Sequence, residues 1–390
     1  MNAPVKCPIC QSETLTEFLF HARVPINQNM LMRDQASAIG VRRGDLALST
    51  CSECGFIFNR AFDASGSMYG ADYENNQGCS PSFEKYMNDL VHHMIVDRRV
   101  RDSHIVEVGC GNGLFLRKLV TYNGAGNVGI GFDPSYRGNA SDLDGRLQFS
   151  NRYYDAGCAD VPADVVVCRH VIEHVARPLD LLTTVKRALT RADEPRLFFE
   201  TPCVEWILRN RVIWDFFYEH CSYFTAASLT TAFQIAGFQV ENVTHVFGGQ
   251  YLWLEATLTK ASRTVTKQPN NIPQLALEFA KSEADDTLRW QEKIRKLSAK
   301  GKVALWGAGA KGATFANMID PERCWIDCIV DLNPSKQGQF LPGTGHPIVS
   351  YRDLTERGIT TAVLLNPNYH EENLALLQAI GTYIELVSSL

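Results

Sequence analysis

Residues 106–116, Val-Glu-Val-Gly-Cys-Gly-Asn-Gly-Leu-Phe-Leu, join an apolar strand to a helical pattern through three alternate glycines. That is the form of a loop that cradles a nucleotide-type ligand. Glycines at 109, 111 and 113 let the backbone turn tightly and bring its N–H groups against a ligand where a Cβ would collide. The spacing is Gly-x-Gly-x-Gly with Glu107 ahead of it, so the dinucleotide fingerprint Gly-x-Gly-x-x-Gly is not met. The competing reading is a glycine-rich turn with no ligand, and three further signals count against it. Val128-Gly-Ile-Gly-Phe-Asp133 is an apolar run ending in an acid, placed to accept hydrogen bonds from both hydroxyls of a ribose. Residues 163–175, Ala-Asp-Val-Val-Val-Cys-Arg-His-Val-Ile-Glu-His-Val, read as a strand that ends in a polar loop. Residues 196–202, Arg-Leu-Phe-Phe-Glu-Thr-Pro, read as a further strand stopped by its proline.

In this order the four signals resemble motif I, the ribose carboxylate, motif IV and the next strand of class I S-adenosylmethionine methyltransferases. The resemblance implies an α/β fold built on a central class I methyltransferase sheet of Rossmann-like form. It implies S-adenosylmethionine as cofactor, held by Glu107, Gly109, Gly111, Gly113 and Asp133. His170, in the polar loop, is a further candidate on the cofactor side. A polar loop carries such a residue without needing it, and the same holds for His174.

At 390 residues, 45% of them hydrophobic, the chain is long enough for two or three domains with a core each. A net charge of -5, with no cluster of lysine and arginine, argues against a nucleic-acid partner. The anionic part of any substrate then has to be met locally. No apolar run approaches the roughly 18–20 residues of a membrane span, and Met1-Asn-Ala-Pro-Val-Lys-Cys7 lacks the form of a signal peptide. The expected partner is a small molecule, with no membrane, and the expected location is the cytoplasm.

The twelve cysteines point to metal before disulfides, because Cys7-Pro-Ile-Cys10 and Cys51-Ser-Glu-Cys54 are two Cys-x-x-Cys hooks. Each offers two thiolates from a tight turn, and Gly55 permits a left-handed turn after the second. A zinc held by Cys7, Cys10, Cys51 and Cys54 would have no open position for water, so it is expected to hold the fold and do no chemistry. A thioredoxin-like redox pair is the weaker reading, since neither hook sits between a strand and a helix. The short alternating strands between the hooks cannot bury a core alone, and metal binding compensates. The other eight cysteines, Cys110 and Cys221 among them, are expected to be reduced thiols in or near cores.

Three units follow: a zinc-binding module at 1–62, a methyltransferase core with a lid segment at 63–271, and a connecting helix with a C-terminal Rossmann-like domain at 272–390. Tyr69-Gly-Ala-Asp-Tyr73-Glu-Asn-Asn-Gln-Gly78 reads either as a lid that carries Tyr73 to a substrate or as a plain linker. Residues 272–300 are charged, periodic and free of glycine, which predicts the helix. Val303-Ala-Leu-Trp-Gly-Ala-Gly-Ala-Lys-Gly312 is a second strand-to-helix glycine turn, followed by Asp331 at the end of the next strand and Asn368-Tyr369 in a later loop. A lone Gly-x-Gly is as readily a structural turn as a binding one. Lys311 adds a cation near a helix N-terminus, where a phosphate would be stabilised. Tyr73, Lys311, Asn368 and Tyr369 are the candidate substrate contacts.

The candidate chemistry lies in Asp215-Phe-Phe-Tyr-Glu-His-Cys-Ser-Tyr-Phe-Thr225. His220 titrates near neutrality and can take a carbon-bound or hydroxyl proton, while Glu219, Tyr218 or Tyr223 orients it or stabilises developing charge. Adjacent residues of a strand face opposite ways, so Glu219 and His220 converge only on a turn or helix start. The plainer alternative is an ordinary, partly buried histidine.

The whole arrangement resembles the nucleotide-sugar C-methyltransferases that install the branch methyl at C3 of deoxysugars. The likeness covers nearly the entire chain and rests on the two hooks, residues 106–115, Glu219-His220-x-Ser222-Tyr223-Phe224, and Gly307-x-Gly309-x-Lys311-Gly312. It implies that His220 takes the C3 proton of a 4-keto sugar, that the enolate carbon attacks the methyl of S-adenosylmethionine, and that Glu219 orients the histidine or holds a sugar hydroxyl. It also implies a nucleotide diphosphate gripped between the core and the C-terminal domain. One departure stands out: the family tends to read Tyr-x-Glu-His, and here the first position is Phe217. Either Tyr218 or Tyr223 replaces that phenol or the substrate differs. An O- or N-methyltransferase of another phosphorylated or nucleotide-linked molecule, with His220 deprotonating a heteroatom, is the second reading. A non-catalytic binding protein is the third, and the intact Glu107, Gly109, Gly111 and Asp133 speak against it.

Overall fold

The computed structural model describes residues 5–65, 70, 72–76, 78–158, 160–259 and 270–388. Tyr69 of the polar aromatic stretch lies outside them. The first glycine loop sits at the centre of an eight-stranded sheet. From one edge its strands are Phe238–Val246, Tyr251–Leu258, Arg196–Pro202, Val165–Arg169, His104–Val108, Val128–Phe132, Leu147–Ser150 and Ser141–Asp142. The five from Arg196–Pro202 to Leu147–Ser150 pair in parallel, and Tyr251–Leu258 runs antiparallel beside them. This is the class I methyltransferase sheet that the sequence predicts. Val165, Val166, Val167 and Cys168 are all buried, as a parallel strand covered on both faces requires. Chain order reverses between His104–Val108 and Val165–Arg169, which opens a crevice at their carboxyl ends.

The C-terminal sheet repeats the principle on a smaller scale. Its parallel strands run Ile348–Val349, Ile326–Val330, Lys302–Trp306, Ile359–Leu364 and Glu385–Ser388. Order reverses between Lys302–Trp306 and Ile359–Leu364, and the helix Ala310–Ile319 starts on the second glycine turn. The helix Ile272–Ser298 occupies the glycine-free stretch ahead of it. No helix among the described residues is long and apolar enough to cross a membrane.

The N-terminal sheet is antiparallel: Leu15–Pro25, Arg43–Cys51, Ile57–Asn59 and, from far along the chain, Ser222–Tyr223. At its end the two cysteine hooks meet. Cys7 and Cys54 stand 3.6 Å apart at sulfur, Cys10 and Cys51 3.5 Å, and all four sulfurs lie within 4.8 Å of one another. A disulfide needs about 2.05 Å. Four thiolates about 2.3 Å from a tetrahedral zinc stand about 3.8 Å apart, which the observed spacing approaches. Each hook closes the same way, with the Gln11 N–H donating to the Cys7 carbonyl and the Gly55 N–H to the Cys51 carbonyl, both donors at positive φ. The expected left-handed residue after Cys54 thus has a counterpart after Cys10, made by a glutamine.

One apolar cluster joins the N-terminal and C-terminal sheets through the segment that follows the central-sheet strand Arg196–Pro202 and through the long helix. Leu46 and Ile57 of the N-terminal sheet, Trp214 and Phe216, Phe279 of the long helix and Phe315 of the C-terminal domain all belong to it. Trp214, 1% exposed, meets Trp290 and Phe315 edge-on at 5.5 and 5.3 Å between ring centres. Three segments distant in sequence therefore share one aromatic contact. Trp214→Ala is expected to lower unfolding free energy by about 3–5 kcal/mol, read by urea denaturation; a loss within about 0.5 kcal/mol would deny Trp214 that role.

Candidate active site

Gly111 sits at φ +53, and a Cβ built on it would meet nothing within 4 Å, so the loop presents bare backbone to open space. The neighbouring glycines have another purpose. A Cβ at Gly109 would lie 2.1 Å from the Val171 side chain, and one at Gly113 would lie 2.4 Å from the Phe149 ring. Gly113, expected to touch cofactor, does not line the cleft; it packs and begins the helix Leu114–Thr121. The cleft, of about 530 Å³, is walled by Gly109, Gly111, Glu107, Asp133, Arg169 and His170 among others. Asp133 accepts from the Gly111 N–H at 2.8 Å and from the Ser135 N–H and hydroxyl at 2.7 and 2.6 Å. Both Ser135 bonds fall on Oδ1, so Oδ2, which takes only the Gly111 N–H, keeps acceptor capacity for a ribose. Glu107 accepts from the Leu116 N–H at 3.1 Å, and burial pushes its carboxyl up to about 8.

A second cavity, of about 240 Å³, lies where the carboxyl ends of the two parallel sheets face each other: His170 and Pro202 on one side, Trp306, Asp331 and Leu364 on the other. It meets the cofactor cleft at Tyr73, Asn75, Asn76, His170 and His174, which line both. His220 is in its wall. The Nδ1 of His220 is enclosed without a hydrogen-bond partner, and the ring lies 4.7 Å from those of His174 and Phe217. Burial, reinforced by His174, His170 and Lys311, holds this imidazole well below the ordinary 6.5, so it is a free base at neutral pH.

Glu219 is 1% exposed and is held from the other end of the chain. Its Oε1 accepts from the Gln28 N–H at 2.7 Å, and the Tyr73 phenol stands beside it. Burial raises its pKa, and Oε2 is enclosed without a partner. No hydrogen bond joins this carboxylate to the His220 ring among the described residues. His174 Nδ1–H donates to the Glu219 carbonyl at 3.0 Å instead.

Neither phenol expected to stand in for the one absent at Phe217 lines the cavity. The Tyr218 hydroxyl accepts from the Asp63 N–H at 2.9 Å, and its ring lies against Phe62 and Gly44. The Tyr223 hydroxyl accepts from the Phe217 N–H at 2.8 Å and donates to the Phe217 carbonyl at 2.9 Å, which closes the turn. The phenols that do line the cavity are those of Tyr73, Tyr251 and Tyr369. Asn368 is likewise outside it, donating to the Phe247 carbonyl at 2.9 Å, whereas Asn366 is inside.

Lys311 lines the cavity but stands 2.5 Å from Asp215, so its charge is already balanced. Lys336, which the sequence reading passed over, is 6% exposed in the same wall and donates only to the Asn29 side chain and the Ala308 carbonyl, each at 3.1 Å. Among the described residues no carboxylate pairs with it. Its one sequence signal is position, in the loop after the strand ending at Val330. Asn29, Tyr251 and Arg169 were also missed, and His174, read from the sequence as an ordinary loop histidine, is in the wall as well. His170 sits at φ +55, a strained place for a non-glycine residue. Burial alone would lower its pKa, but Glu200 and Glu173, each 3.5 Å away, lift it to about 9 and keep it cationic.

Residues 82–243 match the methyltransferase domain family, and residues 272–383 match the C-methyltransferase C-terminal domain family. The chain is 25% identical to the C-methyltransferase NovU of Streptomyces niveus over 398 residues, spanning 94% of this chain and 90% of that protein. It is 29% identical to the tRNA U34 carboxymethyltransferase of Campylobacter lari over 115 residues, 28% of this chain and 38% of that one. Among solved structures, the 1,6-didemethyltoxoflavin-N1-methyltransferase of Burkholderia thailandensis aligns with a TM-score of 0.35 and 14% identity, over 46% of this chain and 80% of that one. Gly111→Val would fill the bare cradle and place a β-branched residue at positive φ. Affinity for S-adenosylhomocysteine, measured by isothermal titration, is expected to drop roughly 100-fold, and undiminished affinity would move the cofactor elsewhere.

Proposed function

We propose that this chain is an S-adenosylmethionine-dependent C-methyltransferase, a reading supported by the two domain matches and by the likeness to NovU, and that its acceptor is a nucleotide-linked keto-deoxysugar, deprotonated beside its ketone by His220 and methylated on the enolate carbon. The observation that carries this reading is His220: a half-buried, neutral imidazole in a cavity that adjoins the cofactor cleft. A proton next to a ketone is acidic enough for such a base, and the enolate it leaves is a carbon nucleophile. Gly111 and Asp133 would hold S-adenosylmethionine, which when bound supplies the electrophilic methyl.

The protein has to add charge stabilisation and orientation. The Tyr73 phenol and the His170 imidazolium line the junction of the two cavities, where they can donate to the enolate oxygen in place of the phenol missing at Phe217. Glu219, fixed by Gln28 and near Tyr73, would take a sugar hydroxyl. For the diphosphate, the start of the helix Ala310–Ile319 supplies backbone donors and Lys336 supplies an unbalanced cation. Tyr369 and Asn366 would line the nucleotide end. Cys7, Cys10, Cys51 and Cys54 would hold a structural zinc, whose four thiolates fit the observed sulfur spacing.

His220→Gln is expected to bind S-adenosylhomocysteine normally and to lose methyl transfer by about 10²–10⁴-fold. In heavy water with a panel of nucleotide-linked 4-keto-6-deoxy sugars, the unaltered protein should place deuterium in the substrate before transfer, detected by mass spectrometry, and the variant should not. The acid limb of kcat/KM should lie below pH 6.5, because the base stays deprotonated to lower pH than an ordinary histidine. Methyl gain without any exchange at carbon would move the acceptor to oxygen or nitrogen. Separately, Cys51→Ser should empty the metal site, seen as zinc content by mass spectrometry, and lower the melting temperature by about 10 °C; unchanged metal content would reject the four-cysteine assignment.

A further inference from the structure

Arg169 ends the strand Val165–Arg169, immediately before the strained His170. Its side chain is 8% exposed and held on two sides. Nε donates to Glu200 Oε2 at 2.6 Å, and the guanidinium carbon lies 4.3 Å above the centre of the Phe115 ring. Glu200 is itself fully buried and takes the Tyr86 hydroxyl and the His170 ring as further partners. The outer edge of the guanidinium is bare. Nη1 and Nη2 donate to nothing among the described residues, and Nη2 is enclosed. A buried guanidinium that uses one of its five N–H groups costs free energy until an acceptor arrives.

The place of Arg169 says what that acceptor is. It lines the cofactor cleft. The other arginine there, Arg137, is exposed and donates to the Tyr73 carbonyl. Asp133 follows the strand Val128–Phe132, on one side of the central strand His104–Val108, and Arg169 ends the strand on its other side. A cofactor that puts its ribose at Asp133 and lies across the bare backbone of Gly111 delivers its far end to Arg169. S-adenosylmethionine carries one anion, the carboxylate of that far end.

We propose that Arg169, oriented by Glu200 and Phe115, binds the methionyl carboxylate of the cofactor. Nη1, the terminal nitrogen that is not enclosed, can meet a carboxylate, and the unpaired Nη2 beside it completes a planar donor edge that a lysine ammonium lacks. The ion pair with Glu200 is then a positioning device: it spends one edge of the guanidinium to aim the other. The proposal depends on the cofactor, not on the sugar, so failure of the sugar reading leaves it standing.

The test compares S-adenosylhomocysteine with its decarboxylated counterpart, identical but for the carboxylate, by isothermal titration of the full chain. The unaltered protein is expected to prefer S-adenosylhomocysteine by about 30- to 100-fold. Arg169→Met should abolish that preference by weakening S-adenosylhomocysteine alone. Arg169→Lys keeps a charge beside Glu200, guards against a Met variant that does not fold, and should show an intermediate preference. Equal affinities for the two ligands in the unaltered protein would overturn the proposal. So would an Arg169 variant that weakens both ligands by the same factor, since that is what a purely structural ion pair predicts.

Discussion

The hydrogen bond from the Gln28 N–H to the Glu219 carboxylate ties the candidate catalytic loop to the N-terminal module. A carboxylate only 1% exposed is costly unless its oxygens are met, and here Oε1 is met by backbone from 191 residues earlier in the chain while Oε2 is left for a ligand. Two residues past His220, Ser222–Tyr223 adds a strand to the same N-terminal sheet. The small sheet that carries the cysteine hooks is thereby part of the active-site wall, and Asn29 from its loop lines the cavity directly.

The site separates its histidines by environment. His220, half-buried beside His174, His170 and Lys311 and with no hydrogen bond to the Glu173 carboxylate that lies within 4.8 Å, stays neutral. His170, as deeply placed but between Glu173 and Glu200, stays charged. The same residue type therefore serves as candidate base and candidate charge stabiliser within one junction, and the decision lies with the neighbours. Glu200 has the widest reach in this set, since it contacts Arg169, His170 and Tyr86 together.

Two parallel sheets each open a crevice where chain order reverses, and the fold sets those crevices against each other. The aromatic contact of Trp214 with Trp290 and Phe315 sits behind this arrangement. The cavity is the space left between the two sheets, with His170 and Pro202 on one side and Trp306 and Leu364 on the other.

The sequence by itself determined the sheet, the glycine loop and the two cysteine hooks. Glycine spacing, apolar runs and Cys-x-x-Cys are local properties, written within about ten residues each. It also marked Asp133, Glu219, His220, Tyr73 and Tyr369, all of which the structure brings to the cleft or cavity. It misplaced Tyr218, Tyr223, Gly113 and Asn368, because residue type says nothing about which way a side chain turns: Phe217 faces the cavity and its neighbour Tyr218 faces Gly44. It gave Lys311 a free charge that Asp215 balances, and it passed over Lys336 and Arg169, whose unmet donors exist only once burial removes water. Side-chain direction, ionisation and unsatisfied hydrogen bonds depend on contacts between segments far apart in the chain, so only the tertiary structure decided them.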